Sequence, residues 1–149
     1  MSDVPRPRVE LSARCACGGA GVSFAGRVLS MFLCSCEDCQ RATGTGHSAV
    51  ILVRGTDVGL DGDIAAFARP ANSGATLTRS FCPTCGTPLL ARSSRAPHLA
   101  MLPAGLFGAT AAPWYLPNQL IFARSHRDWD LIDPELPQHA TYRDEGALM

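Results

Sequence analysis

The seven cysteines of this chain fall into three tight groups, and that spacing limits the possible folds more than any other feature. They are Cys15-Ala-Cys17, Cys34-Ser-Cys36-Glu-Asp-Cys39 and Cys82-Pro-Thr-Cys85. Thiolates one or two residues apart on a tight turn can aim their sulfurs at a common centre about 2.3 Å away, as a zinc ion requires. Seven donors divide into a closed set of four and an incomplete set of three. The odd count fits a disulfide framework poorly. The N-terminus is polar and proline-bearing, unlike a secretory signal, and no apolar run reaches the length of a membrane span. A cytoplasmic location is therefore expected, and in a reducing compartment clustered cysteines more often bind metal than pair with each other. Two zinc ions are expected.

Composition removes several function classes. Formal net charge is zero and no basic run occurs, which argues against nucleic acid or a membrane surface as partner. Every basic residue other than histidine is arginine, so Schiff-base chemistry and a lysine-bearing phosphate loop are both excluded. At 149 residues the expectation is a single zinc-binding domain over 1–149, long enough to bury a real core. The first eight residues and the tail after about Ala140 read as loose.

Strand and turn signals dominate. Alternation over 8–14 breaks at the Cys15–Gly19 turn, and further short strands are predicted at 22–24, 28–33, 49–53, 64–68, 76–81, 88–91, 98–102 and 119–123. One short helix is predicted over Glu37–Thr43, beginning inside the middle cysteine group. The fold class is mainly β, built from small stacked antiparallel sheets with zinc knuckles.

Cys82-Pro-Thr-Cys85-Gly86 is a knuckle pattern: the cysteines bracket a turn whose left-handed residue is glycine. Cys15-Ala-Cys17-Gly18-Gly19 is a tighter version. Each pair supplies two ligands, and the economical solution joins Cys15, Cys17, Cys82 and Cys85 in one structural site that staples an early hairpin to a late one. Cys34, Cys36 and Cys39 can form a tripod whose fourth position stays open, the mark of catalytic zinc. Spacing alone also admits closure of the tripod by Asp38, His47, His98 or His126. A swapped partition, pairing two of the middle cysteines with Cys15 and Cys17, is open as well.

These stretches resemble the glutathione-dependent formaldehyde-activating enzyme family, which also includes the domain of centromere protein V. The likeness rests on Cys15-Ala-Cys17-Gly18-Gly19, Cys34-Ser-Cys36-Glu-Asp-Cys39-Gln-Arg-Ala-Thr-Gly44 and Arg79-Ser-Phe81-Cys82-Pro-Thr-Cys85-Gly86-Thr-Pro88-Leu89. Asn72-Ser-Gly74, Ile121-Phe-Ala-Arg-Ser125, Trp129 and Leu136-Pro137 extend it over roughly residues 10–137. The resemblance implies a β-tent fold, structural zinc on the tetrad and catalytic zinc on the trio. It further implies addition of glutathione, as co-substrate, to formaldehyde, giving S-hydroxymethylglutathione, a carbon–sulfur lyase activity in reverse. Two positions depart from the pattern: Ser35 stands where a histidine is common, and His47 where an apolar or aromatic residue is usual.

An open zinc of this kind suits activation of a small thiol, because a three-thiolate ion is a poor Lewis acid towards water. His47 is the candidate to give the product oxygen its proton, against a plain structural role. Arg41 can pair with a substrate carboxylate or balance the thiolates. Gln40, Thr43 and Gly44 are the remaining substrate-binding candidates, weighed against a solvated side chain and a helix end. Arg79 reads as a strand brace, Trp129 as core packing, and Glu37 and Asp38 as caps of the helix start. The competing class is a non-catalytic zinc scaffold for protein partners; nucleic-acid or cytoskeletal binding ranks last. Oligomeric state is open, a homodimer among the options.

Overall fold

A computed structural model describes residues 6–71 and 73–142, so Asn72 and most of the two ends read as loose lie outside the described residues. The fold is mainly β, with ten strands, one α-helix and short 3-10 turns among the described residues. Strands β1 (Arg8–Arg14), β2 (Ala20–Arg27) and β5 (Val58–Gly62) form a three-stranded antiparallel sheet in the order β1-β2-β5. The other strands are β3 (Ser30–Cys34), β4 (Ser48–Arg54), β6 (Ala65–Pro70), β7 (Thr76–Phe81), β8 (Pro88–Ser93), β9 (Leu99–Pro103) and β10 (Leu120–Ile121). These merge into one seven-stranded sheet ordered β10-β3-β4-β9-β8-β7-β6, in which only the short β10–β3 pair is parallel among the described strands. Helix α1 (Glu37–Thr43) links β3 to β4 at the bounds expected from sequence.

Alternation explains which side chains meet. On β4, Ile51 and Val53 face the three-stranded sheet and join Leu11, Val22 and Phe24 in the larger core. Val50 and Leu52 point the other way, packing with Phe32, Ile121 and Phe122 in a second cluster that also holds Cys34 and Cys39. Because β3 and β4 are covered on both faces, they read as continuous apolar runs. The middle cysteine group thus grows out of a strand buried at every position, which fixes where its sulfurs lie.

Several expected bounds move, the strand expected at 22–24 growing to Ala20–Arg27, and two further differences have a clear local cause. The strand expected over 119–123 shrinks to Leu120–Ile121, because Phe122 turns into the left-handed region (φ 56°) and a 3-10 turn follows at Ala123–Ser125. β5 was not expected; it is largely exposed, and Gly59, Asp61 and Gly62 mask its strand character. Gly62 is required there: at φ 86° a Cβ would overlap the Gly19 carbonyl, so the strand closes directly against the first cysteine turn.

The segment after β10 folds back across the sheet edge. Leu120 N–H donates to Pro137 O (2.9 Å), His139 N–H to Leu120 O (2.9 Å) and Phe122 N–H to Thr141 O (2.9 Å). That return path carries Ser125, His126, Arg127 and Asp130 beside α1.

Candidate metal centres and the cavity they face

The sulfurs of Cys15, Cys17, Cys82 and Cys85 lie within 4.8 Å of one another, although 65 residues separate Cys17 from Cys82. Cys15 and Cys17 sulfurs are 3.6 Å apart and Cys17 and Cys82 sulfurs 3.7 Å. Four thiolates placed tetrahedrally at 2.3 Å from a zinc would stand about 3.8 Å from each other, so the donor set and its spacing fit that ion. Local hydrogen bonds build the clamp. Gly86 N–H donates to Cys82 O (2.8 Å), Cys82 N–H to Thr87 O (3.0 Å), and Ala16 N–H to the Thr87 hydroxyl (3.1 Å), tying the first turn to the last. Ala20 N–H donates to the Cys15 sulfur (3.2 Å). The Thr87 hydroxyl and backbone N–H, followed by the Cys17 N–H, pull the Cys85 thiol down to about 5. Cys17 goes the other way, to about 11: the Gly19 N–H lowers it, but the Cys15 and Cys82 thiols outweigh that contact.

Cys34, Cys36 and Cys39 form the second cluster, again with all sulfurs within 4.8 Å, and no described His, Asp or Glu joins them within that radius. The two groups are separate, so the swapped partition does not occur, and all seven cysteines are free thiols. Cys34 ends β3, Cys36 is the N-cap of α1 with its sulfur accepting the Cys39 N–H (3.3 Å), and Cys39 sits buried in the first turn. The cap is therefore a cysteine sulfur of the trio, and the two acidic residues expected to cap the helix have other partners. Asp38 accepts from Arg79 (2.7 Å) and forms an ion pair with Arg69 (3.1 Å), and Glu37 accepts from Arg127 (3.4 Å).

Within the trio, protons are unequally held. The Cys34 and Cys36 thiols, and then the Ser48 hydroxyl and Arg79 guanidinium, hold Cys39 well below the ordinary thiol range despite its burial. Cys34 is pushed well above that range by Cys36, Cys39 and burial. A contact from Cys34 lowers Cys36, but Cys39 and burial carry it up to about 11. Arg79, read from sequence as a strand brace, faces this cluster: its Nη2 donates to the Cys39 sulfur at 3.7 Å as well as to Asp38.

A cavity of about 490 Å³ opens over the trio, within the size range of small-molecule sites. Cys34, Cys36, Cys39, Thr43 and His47 all line it. His47 Nδ1 lies 2.7 Å from Asp130 Oδ2, and Asp130 is buried. Gly46 is what lets that carboxylate approach, since a Cβ there would overlap the Asp130 Cβ and carboxyl carbon. His126 Nε2 donates to the Asp130 carbonyl (2.8 Å) and so pins the same residue from the other side. Sequence reading missed Asp130; its one signal is an acidic residue in the C-terminal stretch beside the family-like tail motif.

The other substrate-binding candidates lie differently. Gln40 does not line the cavity: its Nε2 donates to Ser35 O (2.8 Å) and Ser125 O (2.9 Å), while its Oε1 accepts from Arg127 (3.0 Å). Arg41 is exposed and outside the wall. Thr43 lines the cavity, but its hydroxyl donates to Cys39 O (2.8 Å). Gly44 is the left-handed C-cap of α1 (φ 73°), its N–H donating to Gln40 O. Trp129, expected in the core, is 65% exposed because the return path carries it outward beside Asp130.

Comparison with known proteins agrees with this geometry. The family model described as "Glutathione-dependent formaldehyde-activating enzyme" matches residues 10–125, which include every cysteine. A crystal structure of a Rhodobacter sphaeroides protein is similar in fold, with TM-score 0.53 and 15% identity over 66% of this chain and 89% of that one. No curated protein matches this chain. With the family model spanning both sulfur clusters and the strands that position them, the chain belongs to the glutathione-dependent formaldehyde-activating enzyme family.

Proposed function

We propose that this chain makes and breaks the carbon–sulfur bond of a thiol–aldehyde adduct, with zinc on both cysteine clusters. Glutathione and formaldehyde, giving S-hydroxymethylglutathione, are the pair that the family supplies. The observation that carries the reading is the contrast in donors: four sulfurs that close one site, and three, facing a cavity, in the other. Cys34, Cys36 and Cys39 would hold the reactive ion, whose chemistry when bound is to keep an incoming thiol as thiolate at neutral pH.

The remaining work falls to the chain's own side chains. In the reaction, the substrate sulfur attacks the aldehyde carbon and the C–S bond forms. The carbonyl π pair moves to oxygen, and the proton given up by the thiol ends on that oxygen, so no redox partner is needed. His47 is the proton carrier in this reading. With its Nδ1–H directed at Asp130, its Nε2 lone pair is the one left to take the thiol proton and return it. Asp130 is a positioning residue: it sets the tautomer and supports the imidazolium while the proton is held. Arg79 offsets the negative charge gathered on Cys39.

The test is direct. Zinc-loaded protein is mixed with glutathione and formaldehyde, and adduct exchange is followed by NMR. Exchange faster than in protein-free buffer is expected; an unchanged rate at stoichiometric zinc removes this substrate pair.

A further inference from the structure

The cavity wall is poorly matched to a ligand made only of glutathione and a one-carbon aldehyde. Strand register shows how it is built. Phe67 on β6 stands opposite Arg79 on β7, Arg79 opposite Ala91 on β8, and Ala91 opposite Met101 on β9. The next rung pairs Arg69 with Leu77. These side chains share one face of the sheet and all line the cavity, which Ile121 and Phe122 close on the trio's side. Phe67 is 63% exposed, a large ring at the mouth, whereas Ile121 and Phe122 are 1% and 3% exposed at the inner wall. Phe122 keeps this place in a left-handed backbone conformation that bulky residues rarely adopt (φ 56°), with its ring packed edge-on against Tyr142 at 4.8 Å.

Charge gives the second half of the inference. Three arginines line the wall. Arg69 and Arg79 share the carboxylate of Asp38, Arg79 also reaches the Cys39 sulfur, and Arg95 stacks over the Tyr142 ring at 4.2 Å. The basic groups are thus already engaged by an acid, a sulfur or an aromatic face. Glutathione brings two carboxylates, and burying them against Phe67, Leu77 and Met101 strips their water without replacing it. An apolar group meets no such penalty there, and it would cover surface that otherwise contacts water.

We propose that the adduct handled by this chain carries an apolar substituent of aromatic or short-alkyl size, seated on Phe67, Leu77 and Met101 while its sulfur lies at the trio. This deepens the thiol–aldehyde reading above and rests on it. The substituent can enter with the thiol or with the aldehyde; the chemistry of the seat is the same.

Three pairs separate these sources on the zinc-loaded full chain: glutathione with formaldehyde, glutathione with phenylacetaldehyde, and benzyl mercaptan with formaldehyde. At least one apolar pair should exceed glutathione–formaldehyde by about tenfold or more in kcat/KM, and the better arm names the source. Phe67→Ser, at a position that is 63% exposed, should shrink that ratio severalfold. Equal or better handling of glutathione–formaldehyde overturns the inference and leaves the thiol–aldehyde reading standing. Acceleration of no pair overturns the reading itself. A separate readout needs no turnover: benzyl alcohol, which has no thiol, should shift the Leu77 and Met101 methyl resonances at millimolar concentration. Unmoved methyls overturn the apolar seat whatever the kinetics, and shifted methyls support it.

Discussion

The two sulfur clusters offer the same kind of donor in opposite arrangements. The tetrad joins two turns 65 residues apart, draws on four donors and lies between strand ends that must meet for the sheets to close. The trio comes from one six-residue stretch running from a buried strand into the first turn of a helix, and it faces a cavity. Long-range donors constrain the chain, whereas local donors leave the fold to hydrophobic packing and, on the proposed reading, would leave a bound ion available for chemistry. On the proposed reading, the difference teaches that donor number and sequence separation together separate a staple from a reactive centre.

That contrast can be broken most severely at the tetrad. Replacing Cys82 by Ser removes a donor that is 2% exposed and releases one end of the staple; we expect loss of cooperative unfolding, since structural zinc contributes on the order of 10 kcal/mol. A Cys82→Ser protein with an intact thermal transition would break the comparison. At the trio, Cys36→Ser should keep a folded protein while zinc content drops from two ions to one and turnover disappears. Calorimetry and metal analysis on the same sample check both halves.

Smaller perturbations sharpen the picture. His47→Ala should lower kcat by about a hundredfold or more, as expected for a lost proton carrier, with the fold retained by circular dichroism. Acidity acts on the trio with a definite sign. Cys34 and Cys36 are raised above the ordinary thiol range and Cys39 is lowered, so near neutral pH two protons must leave when metal loads. Zinc affinity at the trio should therefore fall as pH falls, by up to about a hundredfold per unit, in competition titrations with a chromophoric chelator. The smallest effect is expected at the residues that hold His47 in place. Asp130→Asn or Gly46→Ala disturbs the contact with His47, and each should cost about tenfold in kcat while moving the pH profile, a change that a purely structural role would not produce.

Much of this was legible in the sequence for a physical reason. Short-range patterns survive folding: alternation set the bounds of β1 and β7, and the cysteine-to-threonine run set those of α1. The grouping of the cysteines was readable because each pair carries its own turn glycine, Gly18 at φ 82° and Gly86 at φ 78°. What stayed hidden depends on contacts between distant segments. Asp38 reads as a helix cap until β6 and β7 bring Arg69 and Arg79 to it. Gln40 reads as a substrate contact until the return path presents the Ser125 carbonyl and Arg127 to its amide. Asp130 has no local motif at all, and only the fold-back of the chain sets it against His47.

Timed removal of zinc from the intact chain tests the central claim most directly. With two ions per chain at the start, a chelator should take one within the period over which circular dichroism is unchanged, while the second leaves only as the fold is lost. Two ions released together, or both retained with equal resistance, would contradict the division into a four-donor tetrad and a three-donor trio with a free coordination position.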